Sequence, residues 1–365
     1  MRLDELEFDL PEGLIAQHPA EPRDSCRLMH VTAGGERRHA VFSDLPGLLR
    51  SGDTLVLNDS RVLPARMRAR KPTGGSVELL FLRPADVPAV AEGEPWEVLA
   101  RPSHRLRPEE EVTLVGGERL MVRTSLGEGR WVVEGPPHRS LVAIMEAIGE
   151  LPLPPYIKTY PDEPSAYQTV YASVPGSAAA PTAGLHFTPG LLTRLEQAGV
   201  KSAYVTLHVG LDTFQPIRKS VVEDHRIHRE SYSVREEALQ IIRAALASGN
   251  RLVAVGTTAT RVVETLARAG AFDGRVQEGL ICGSTDMFIT PGHRFRAVDV
   301  LLTNFHLPRS TVLALTMAFA GVERLRQAYA EAIALGYRFF SFGDAMLIDG
   351  PSFKDGQLGG ARADS

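Results

Sequence analysis

The sequence predicts an α/β protein in which a larger, discontinuous α/β domain carries an inserted small β-barrel-like domain. Between residues 64 and 150, short apolar and β-branched runs recur, separated by turn signals such as Gly74-Gly75. From residue 151 onward, strand-like runs alternate with helical patterns, which is typical of an α/β layer. We therefore expect residues 1–63 and 151–365 to form the large catalytic domain and residues 64–150 the inserted barrel domain.

The elements of the first half follow from short apolar runs. Residues 54–58 form a buried strand that ends in the polar corner Asn58-Asp59-Ser60. A helical pattern covers residues 140–148. Between these two elements, five strands are predicted for the barrel, at residues 77–82, 96–100, 112–115, 120–124 and 131–134.

The second half contains longer helices. Ser233 and Glu236, three residues apart, form a capping-box pattern at the start of a helix over 235–248. Another helical pattern runs over 310–335 and ends at Gly336. The remaining predictions are helices at 191–198 and 260–269 and strands at 251–256 and 298–304.

Composition and charge exclude several classes of protein. With 44% hydrophobic and 23% charged residues, the 365-residue chain is neither disordered nor fibrous. Its formal net charge of -4 provides no overall positive field for nucleic acid. Two cysteines, Cys26 and Cys282, argue against a disulfide framework or an iron–sulfur site. No signal peptide or membrane-spanning run is present, so we expect a cytoplasmic protein without membrane contact.

Four common catalytic signatures do not occur in the sequence. GxxxxGK[ST], GxGxxG, HExxH and GxSxG are all missing. The chemistry must therefore use a less common constellation.

Histidines mark three candidate segments. His186 lies in a Pro- and Gly-bracketed turn, either as a packed loop residue or as part of a site. His208 shares one face of a predicted strand with Thr206, near the strand's end, where α/β proteins place catalytic groups. The segment 223–230 is the densest ionisable cluster, and it fits a metal site, acid–base groups or a solvated loop equally well.

Two strand–turn–helix segments are suited to anionic ligands. One runs through Thr257 and Thr258 to Arg261, and the other through Asn304 to His306. Helix N-termini offer free N–H groups and the positive end of the helix dipole. Separately, a basic run at residues 61–71 is either a solvated face or a strip that follows a phosphate backbone.

Several longer motifs resemble one enzyme family. They are AYQTVYA at 166–172, APTAGLHF at 180–187, VTLHVGLDTFQP at 205–216, the HxxHxE of residues 225–230, LLTNFHLPRST at 301–311, GYRFFSFGDAMLI at 336–348 and LNDSRVLPAR at 57–66. Together these blocks resemble the S-adenosylmethionine:tRNA ribosyltransferase-isomerases of queuosine biosynthesis. The resemblance covers nearly the whole chain, in order.

The resemblance implies a specific reaction. Such enzymes act on tRNA that carries 7-aminomethyl-7-deazaguanine at the anticodon wobble position. S-Adenosylmethionine is the co-substrate and donates its ribosyl part, which is isomerised to give epoxyqueuosine while adenine and methionine leave. The family fold is likewise an α/β domain with an inserted β-barrel. We expect no metal cofactor, no membrane partner and a monomer.

On this basis the polar residues receive expected roles. Acid–base groups are expected at His186, His208, His228 and Glu230, with Asp286 as a partner for the sulfonium or ribose. The S-adenosylmethionine pocket is expected to be lined by Thr257, Thr258, Arg261, Asn304 and His306. Contacts to tRNA phosphates are expected from Arg61, Arg66, Arg68 and Lys71.

Two alternatives stay open at this stage. A metal-dependent hydrolase could be built on His225, His228 and Glu230, and it would contain stoichiometric metal. A non-catalytic RNA-binding module would bind tRNA in a salt-dependent manner without requiring S-adenosylmethionine.

Overall fold

A computed structural model of the chain describes residues 1–85, 87, 93–161, 163–210, 216–227, 229–272 and 279–350. Within these ranges the chain forms a mixed nine-stranded sheet covered by helices and a closed six-stranded barrel. The predicted fold class is therefore confirmed. The barrel strands lie between residues 66 and 134, and the domain boundaries at 64 and 150 stay a prediction.

The bounds of the described elements are as follows. The strands are β1 (Arg27–Val31), β2 (Arg37–Val41), β3 (Thr54–Asn58), β4 (Ser60–Val62), β5 (Arg66–Arg70), β6 (Ser76–Pro84), β7 (Pro95–Arg101), β8 (Glu110–Leu114), β9 (Arg119–Gly127), β10 (Arg130–Glu134), β11 (Val174–Ser177), β12 (Lys201–Leu207), β13 (Glu230–Arg235), β14 (Leu252–Val255), β15 (Leu280–Thr285), β16 (Val300–Asn304) and β17 (Ala345–Asp349). The α-helices are α1 (Leu45–Leu48), α2 (Leu141–Ile148), α3 (Pro189–Gln197), α4 (Glu236–Ala247), α5 (Gly256–Arg268), α6 (Thr311–Ala320) and α7 (Val322–Ala334).

The large sheet has the strand order β15-β13-β12-β3-β14-β16-β17-β1-β2. Its central strands β12, β3, β14 and β16 are mutually parallel; in this register Val56 of β3 lies beside both Ala203 and Ala254. The carboxyl ends of these four strands therefore meet at one edge, which is where α/β sheets bind ligands.

Residue alternation along β3 divides the core between the two faces of the sheet. Val56 packs into the cluster that contains the buried side chains of α4 to α7. Leu55 and Leu57 point the other way, into a cluster with Leu45 of α1 and Leu191 of α3. Successive side chains of a strand point to opposite faces, so a continuous apolar run is what a sheet covered on both sides requires.

The barrel closes in the order β10-β7-β6-β5-β8-β9, with all neighbours antiparallel. Its interior is apolar, and Leu141, Ile144 and Met145 of α2 pack into the same cluster. The described barrel thus has six strands where five were predicted. The additional strand is β5, whose Met67 and Ala69 are buried between arginines that face outward.

Two details of the predicted helices were wrong. Ser233 does not cap a helix: it lies within β13 opposite Thr206 and Cys282, and α4 follows directly at Glu236. The helix predicted over 310–335 is divided into α6 and α7 at Gly321, whose φ of 85° no helix accommodates. Within the described residues, the helices are too short or too polar to cross a membrane.

Candidate active site

The predicted site residues converge at the carboxyl edge of the four parallel strands. β12 leads into His208, β14 into Gly256 and Thr257, and β16 ends at Asn304. Glu230 reaches the same edge from the start of β13, because that strand runs antiparallel to β12. The barrel faces this edge, and two adjoining cavities lie there.

The first cavity, which we call the outer cavity, lies between the barrel and the sheet edge. Its barrel wall consists of Leu82, Arg83, Glu97, Leu99, Glu128 and Arg130. Its sheet wall includes His208, His225, Glu230, Thr257, Thr258, Arg261, Met287 and Phe288. Both domains therefore contribute to one site.

His208 is held with one ring nitrogen buried and without a partner in the described part of the chain. Its backbone N–H donates to the Ser231 carbonyl at 3.0 Å. The imidazole packs directly on Gly176, where a Cβ atom would lie 2.7 Å from Cε1. Its Nδ1 has no hydrogen-bond partner among the described residues. Burial lowers the pKa of His208, with the Asp59 carboxylate acting in the opposite direction, so the imidazole is neutral at neutral pH.

The polar corner after β3 supports this histidine. The Asn58 side chain makes two hydrogen bonds to the backbone of Leu207. It accepts from the Leu207 N–H at 3.0 Å and donates to the Leu207 carbonyl at 3.1 Å. Asp59 accepts hydrogen bonds from Thr206 at 2.6 Å and from Ser173 at 2.8 Å. Sequence reasoning marked this corner but gave Asp59 no role, although a polar turn after a fully buried parallel strand is the signal that identifies it.

Glu230 and Arg261 form a buried ion pair in the wall of the outer cavity. The Arg261 guanidinium also donates to the carbonyls of Met287 at 3.0 Å and Thr285 at 3.3 Å. The Gly210 N–H donates to the other Glu230 oxygen at 2.8 Å. Because Arg261 directs three of its nitrogens at protein oxygens, its most direct effect is to fix the Glu230 carboxylate.

The second cavity, which we call the inner cavity, adjoins the first along the sheet edge, and its described wall contains no residue of the barrel. The lining shared with the outer cavity consists of Val209, Thr257, Thr258 and Val312. The rest of its wall comprises Ala180, Pro181, Thr182, Ala183, Gly256, Thr303, Asn304, His306, Phe340 and Ser341. His306 is held by Thr303, whose Oγ1 lies 3.0 Å from Nε2, and burial lowers its pKa to about 3.

His186 lies behind the wall of the inner cavity and lines neither cavity. Its Nε2 is 2.8 Å from the Asn304 Oδ1, and its Nδ1 is 3.2 Å from the Cys26 sulfur. Burial lowers its pKa to about 4 even though the bond to Asn304 opposes this effect. The structure therefore places His186 where it orients Asn304.

The 223–230 segment is only partly described, since His228 lies outside the described residues. His225 lines the outer cavity with its ring centroid 6.0 Å from that of Phe288. Asp286 lies on the surface beside Arg229, at 3.3 Å, and is not part of either cavity wall. Elsewhere in the described ranges, no three His, Cys, Asp or Glu side chains are grouped as metal ligands would be.

The predicted tRNA-contacting cations lie away from both cavities. Each is paired with a glutamate: Arg61 with Glu146 at 2.6 Å, Arg66 with Glu78 at 3.8 Å, Arg68 with Glu150 at 4.0 Å and Lys71 with Glu110 at 3.1 Å. Their positive charge is therefore locally balanced.

Sequence reasoning missed the cations of the barrel wall. Glu97 of β7 is buried and accepts hydrogen bonds from Arg83 at 3.0 Å and from Arg130 at 3.2 Å. Two arginines thus share the Glu97 carboxylate in a wall that also contains Glu128. The available signal was a carboxylate between Trp96 and Val98, inside an apolar strand.

Fold and site together define a member of a known family. The family model described as "Queuosine biosynthesis protein" matches residues 3–348, and the chain belongs to this family. The chain is 52% identical to the S-adenosylmethionine:tRNA ribosyltransferase-isomerase of Rubrobacter xylanophilus, covering 96% of this chain and 98% of that protein. It is 48% identical to the enzyme of the same name from Moorella thermoacetica, and the match covers 95% of this chain and 100% of that protein.

A solved structure agrees with these relatives. The crystal structure of S-adenosylmethionine tRNA ribosyltransferase from Thermotoga maritima matches with a TM-score of 0.54 and 36% identity. The match covers 94% of this chain and 99% of that chain. The family, the relatives and the fold thus agree along nearly the full length.

Proposed function

We propose that this chain transfers and isomerises the ribosyl part of S-adenosylmethionine onto 7-aminomethyl-7-deazaguanine in the tRNA anticodon. The product is epoxyqueuosine-tRNA, and adenine and methionine are released. The observation that carries the proposal is the 52% identity, over 96% of the chain, to a relative that bears the name of this activity. None of the relatives supports the metal-dependent hydrolase alternative.

The chemistry requires a base near the sulfonium of the donor. Removal of a proton from the carbon beside the positively charged sulfur starts the reaction, and adenine then departs with the help of an acid. The amine of the tRNA base attacks the rearranged ribosyl part, and ring closure expels methionine. A neutral imidazole with an unpaired nitrogen meets the first requirement.

His208 is the proposed general base. Its Nδ1 lacks a partner among the described residues and its ring lines the outer cavity. Glu230, fixed by Arg261, is the proposed second acid–base group. His228 stays in the proposed set by its position in the motif. His186 is proposed to act through Asn304, which it contacts at 2.8 Å.

The donor is proposed to bind along the two cavities. Thr257 and Thr258 line both, whereas Asn304 and His306 line the inner one. Asp286 lies outside these walls, so its proposed contact with the sulfonium or ribose would require approach from the Arg229 side. The contacts of Arg61, Arg66, Arg68 and Lys71 with tRNA phosphates, a metal-free enzyme and a monomeric state are proposed as well.

A direct assay tests the function. The chain is incubated with S-adenosylmethionine and tRNA bearing 7-aminomethyl-7-deazaguanine, and free adenine and the nucleoside mass are measured. We expect adenine release matched by an epoxyqueuosine mass. His208→Ala should abolish turnover and retain tRNA binding, while His138→Ala, on the barrel surface beside Glu118, should leave both unchanged. Absence of both products from folded wild-type protein would contradict the proposal.

A further inference from the structure

We infer that the inner cavity is the binding site for the adenine of S-adenosylmethionine, with the donor ribose at the border shared by the two cavities. This inference rests on the proposed function and assigns the ends of the donor to separate compartments. The opposite arrangement would place the methionine end in the inner cavity.

The chemical character of the inner wall favours a nucleobase. Its described lining residues include neither a carboxylate nor an ammonium or guanidinium group. The polar groups are hydroxyls, the Asn304 amide and the His306 imidazole, which is neutral because burial lowers its pKa to about 3. Adenine is uncharged and carries both hydrogen-bond donors and acceptors, which the hydroxyls, amide and imidazole of this wall can pair. The ammonium and carboxylate of methionine would lose their hydration there without a charged partner.

Phe340 adds an apolar, aromatic surface to this wall. It is 8% exposed and has a φ of 75°, a conformation that bulky residues rarely adopt. Its backbone N–H donates to the Phe305 carbonyl at 2.9 Å, and its ring meets Tyr156 edge-on. Strained residues of this kind cluster at ligand clamps, where neighbouring contacts hold them in place. A purine presents the planar face that an aromatic wall binds.

Thr258 marks the border between the cavities. The residue is 8% exposed, and its Oγ1 is buried without a hydrogen-bond partner among the described residues. An unsatisfied buried hydroxyl costs free energy that a bound donor or acceptor recovers. Thr258 lines both cavities, so a hydroxyl of the ribose lies within its range in the inferred arrangement.

The arrangement also agrees with the order of the substrates in space. The outer cavity is bounded by the barrel arginines Arg83 and Arg130, and it contains His208. A tRNA base enters from that side, since the inner cavity is lined by the sheet domain. With adenine inside and the acceptor amine outside, the ribose lies between them, next to the proposed base.

Two variants test the assignment by calorimetric titration with adenosine, methionine and S-adenosylmethionine. Thr258→Val removes a hydroxyl that has no protein partner, so folding should be unaffected. We expect adenosine and S-adenosylmethionine to bind roughly 10-fold more weakly. Ala183→Leu enlarges a side chain in the wall of the inner cavity. It should weaken adenosine binding by at least about 10-fold and change methionine affinity by less than about 2-fold.

Thr193→Val, on the exposed face of α3 and outside both cavity walls, is the matched control and should change adenosine affinity by less than about 2-fold. Loss of methionine binding in Ala183→Leu, with adenosine binding retained, would overturn the assignment. So would unchanged adenosine affinity in Thr258→Val. Adenine release by the wild type in the presence of tRNA is measured in parallel. If adenine is released but one of these two results is found, the assignment of adenine to the inner cavity is wrong and the proposed function stands. If adenine is not released, the proposed function fails first.

Discussion

At the residue scale, the burial of His208 should determine how the rate of adenine release depends on pH. Burial lowers its pKa below the ordinary value of about 6.5, while Asp59 raises it. The group acts as a base only when it is deprotonated, so the decline of kcat/KM for adenine release with falling pH should have its midpoint below pH 6.5. Asp59→Asn removes the opposing charge and should move this decline to lower pH by up to about one unit.

The pH profile of adenine release checks this expectation. His138→Asn, on the barrel surface, serves as the control and should leave the profile unchanged. A decline whose midpoint lies above pH 6.5, or one that Asp59→Asn shifts to higher pH, would remove His208 from the role of general base.

Two further histidines make the fold sensitive to acid. Burial lowers the pKa of His186 to about 4 and that of His306 to about 3, against about 6.5 in the unfolded chain. Below pH 6.5 the unfolded state therefore binds more protons. The contribution of these two histidines to the free energy of unfolding is fully present above pH 6.5. It falls as the pH decreases towards 4, by about 1.4 kcal/mol per pH unit for each histidine.

Urea unfolding at pH 7.5 and 5.5 measures this loss. We expect the wild type to lose roughly 2–3 kcal/mol between the two values through these two groups. His186→Asn should lose about half as much, since one group is removed. Equal losses in wild type and variant would contradict the assignment of the acid sensitivity to His186.

Residue roles could be predicted where the sequence carries the pattern, and not where the partner is distant. His208 follows a strand and is polar in an apolar run, so its position at the sheet edge was predictable. His186 could not be separated from a packed histidine, because its partners Cys26 and Asn304 are 160 and 118 residues away. Arg261 is only 31 residues from Glu230, but no local pattern joins the two, so their pairing was not predicted either.

At the element scale, the start of α5 depends on one glycine. Gly256 has a φ of 84°, and a Cβ atom there would lie 3.4 Å from the Ala183 Cβ. Gly256→Ala should therefore cost about 1–2 kcal/mol of stability. It should also weaken S-adenosylmethionine binding, because the strained turn carries Thr257 and Thr258 into the two cavities.

Gly270, just beyond the other end of α5, provides a matched control. Its φ is 63° and a Cβ atom there would have nothing within 4 Å. Gly270→Ala should lower the melting temperature by a similar amount and leave donor affinity unchanged. If the two variants weaken donor binding equally, the turn at Gly256 has no specific role in the site.

Elements were predictable where local pattern and tertiary context agree. β3 was located to the residue, since its apolar run is bounded by polar residues on both sides. β5 was overlooked because its three arginines suggested a solvated run, although Met67 and Ala69 alternate with them. The break at Gly321 was missed because the apolar period continues across it, and only the backbone conformation separates the two helices.

At the scale of the whole molecule, the apposition of barrel and sheet could not be predicted. The sequence predicts the two domains, because short apolar runs between residues 64 and 150 give way to alternating strand and helix patterns. It contains no pattern that shows which face of the barrel meets the sheet edge. The cationic strip predicted from the sequence was therefore placed at the basic run of residues 61–71. In the structure, Arg61, Arg66, Arg68 and Lys71 of that run are each paired with a separate glutamate. Arg83 and Arg130 share one glutamate, Glu97, and border the outer cavity.

This difference adds the barrel wall of the outer cavity as a second candidate path for the tRNA phosphates, beside the proposed contacts of Arg61, Arg66, Arg68 and Lys71. The Arg83 side chain is 61% exposed, and Arg130 remains to neutralise Glu97 when Arg83 is replaced. Arg83→Gln should therefore fold normally and bind tRNA roughly 3- to 10-fold more weakly. The slope of log affinity against log salt should decrease by about one, because one fewer counterion is released. Affinity for S-adenosylmethionine should be unchanged.

Arg68→Gln is the matched comparison on the same barrel. Arg68 is 67% exposed and lies 4.0 Å from Glu150, so the substitution removes the same charge from a site away from the cavities. If tRNA follows the barrel wall of the outer cavity, Arg68→Gln should leave both affinity and salt slope nearly unchanged. If it instead follows the strip of Arg61, Arg66, Arg68 and Lys71, the two variants should exchange their effects. Filter binding across a salt series distinguishes the two paths. Each variant removes one positive charge at a different place on the barrel, and the salt slope decreases only where that charge contacts a phosphate.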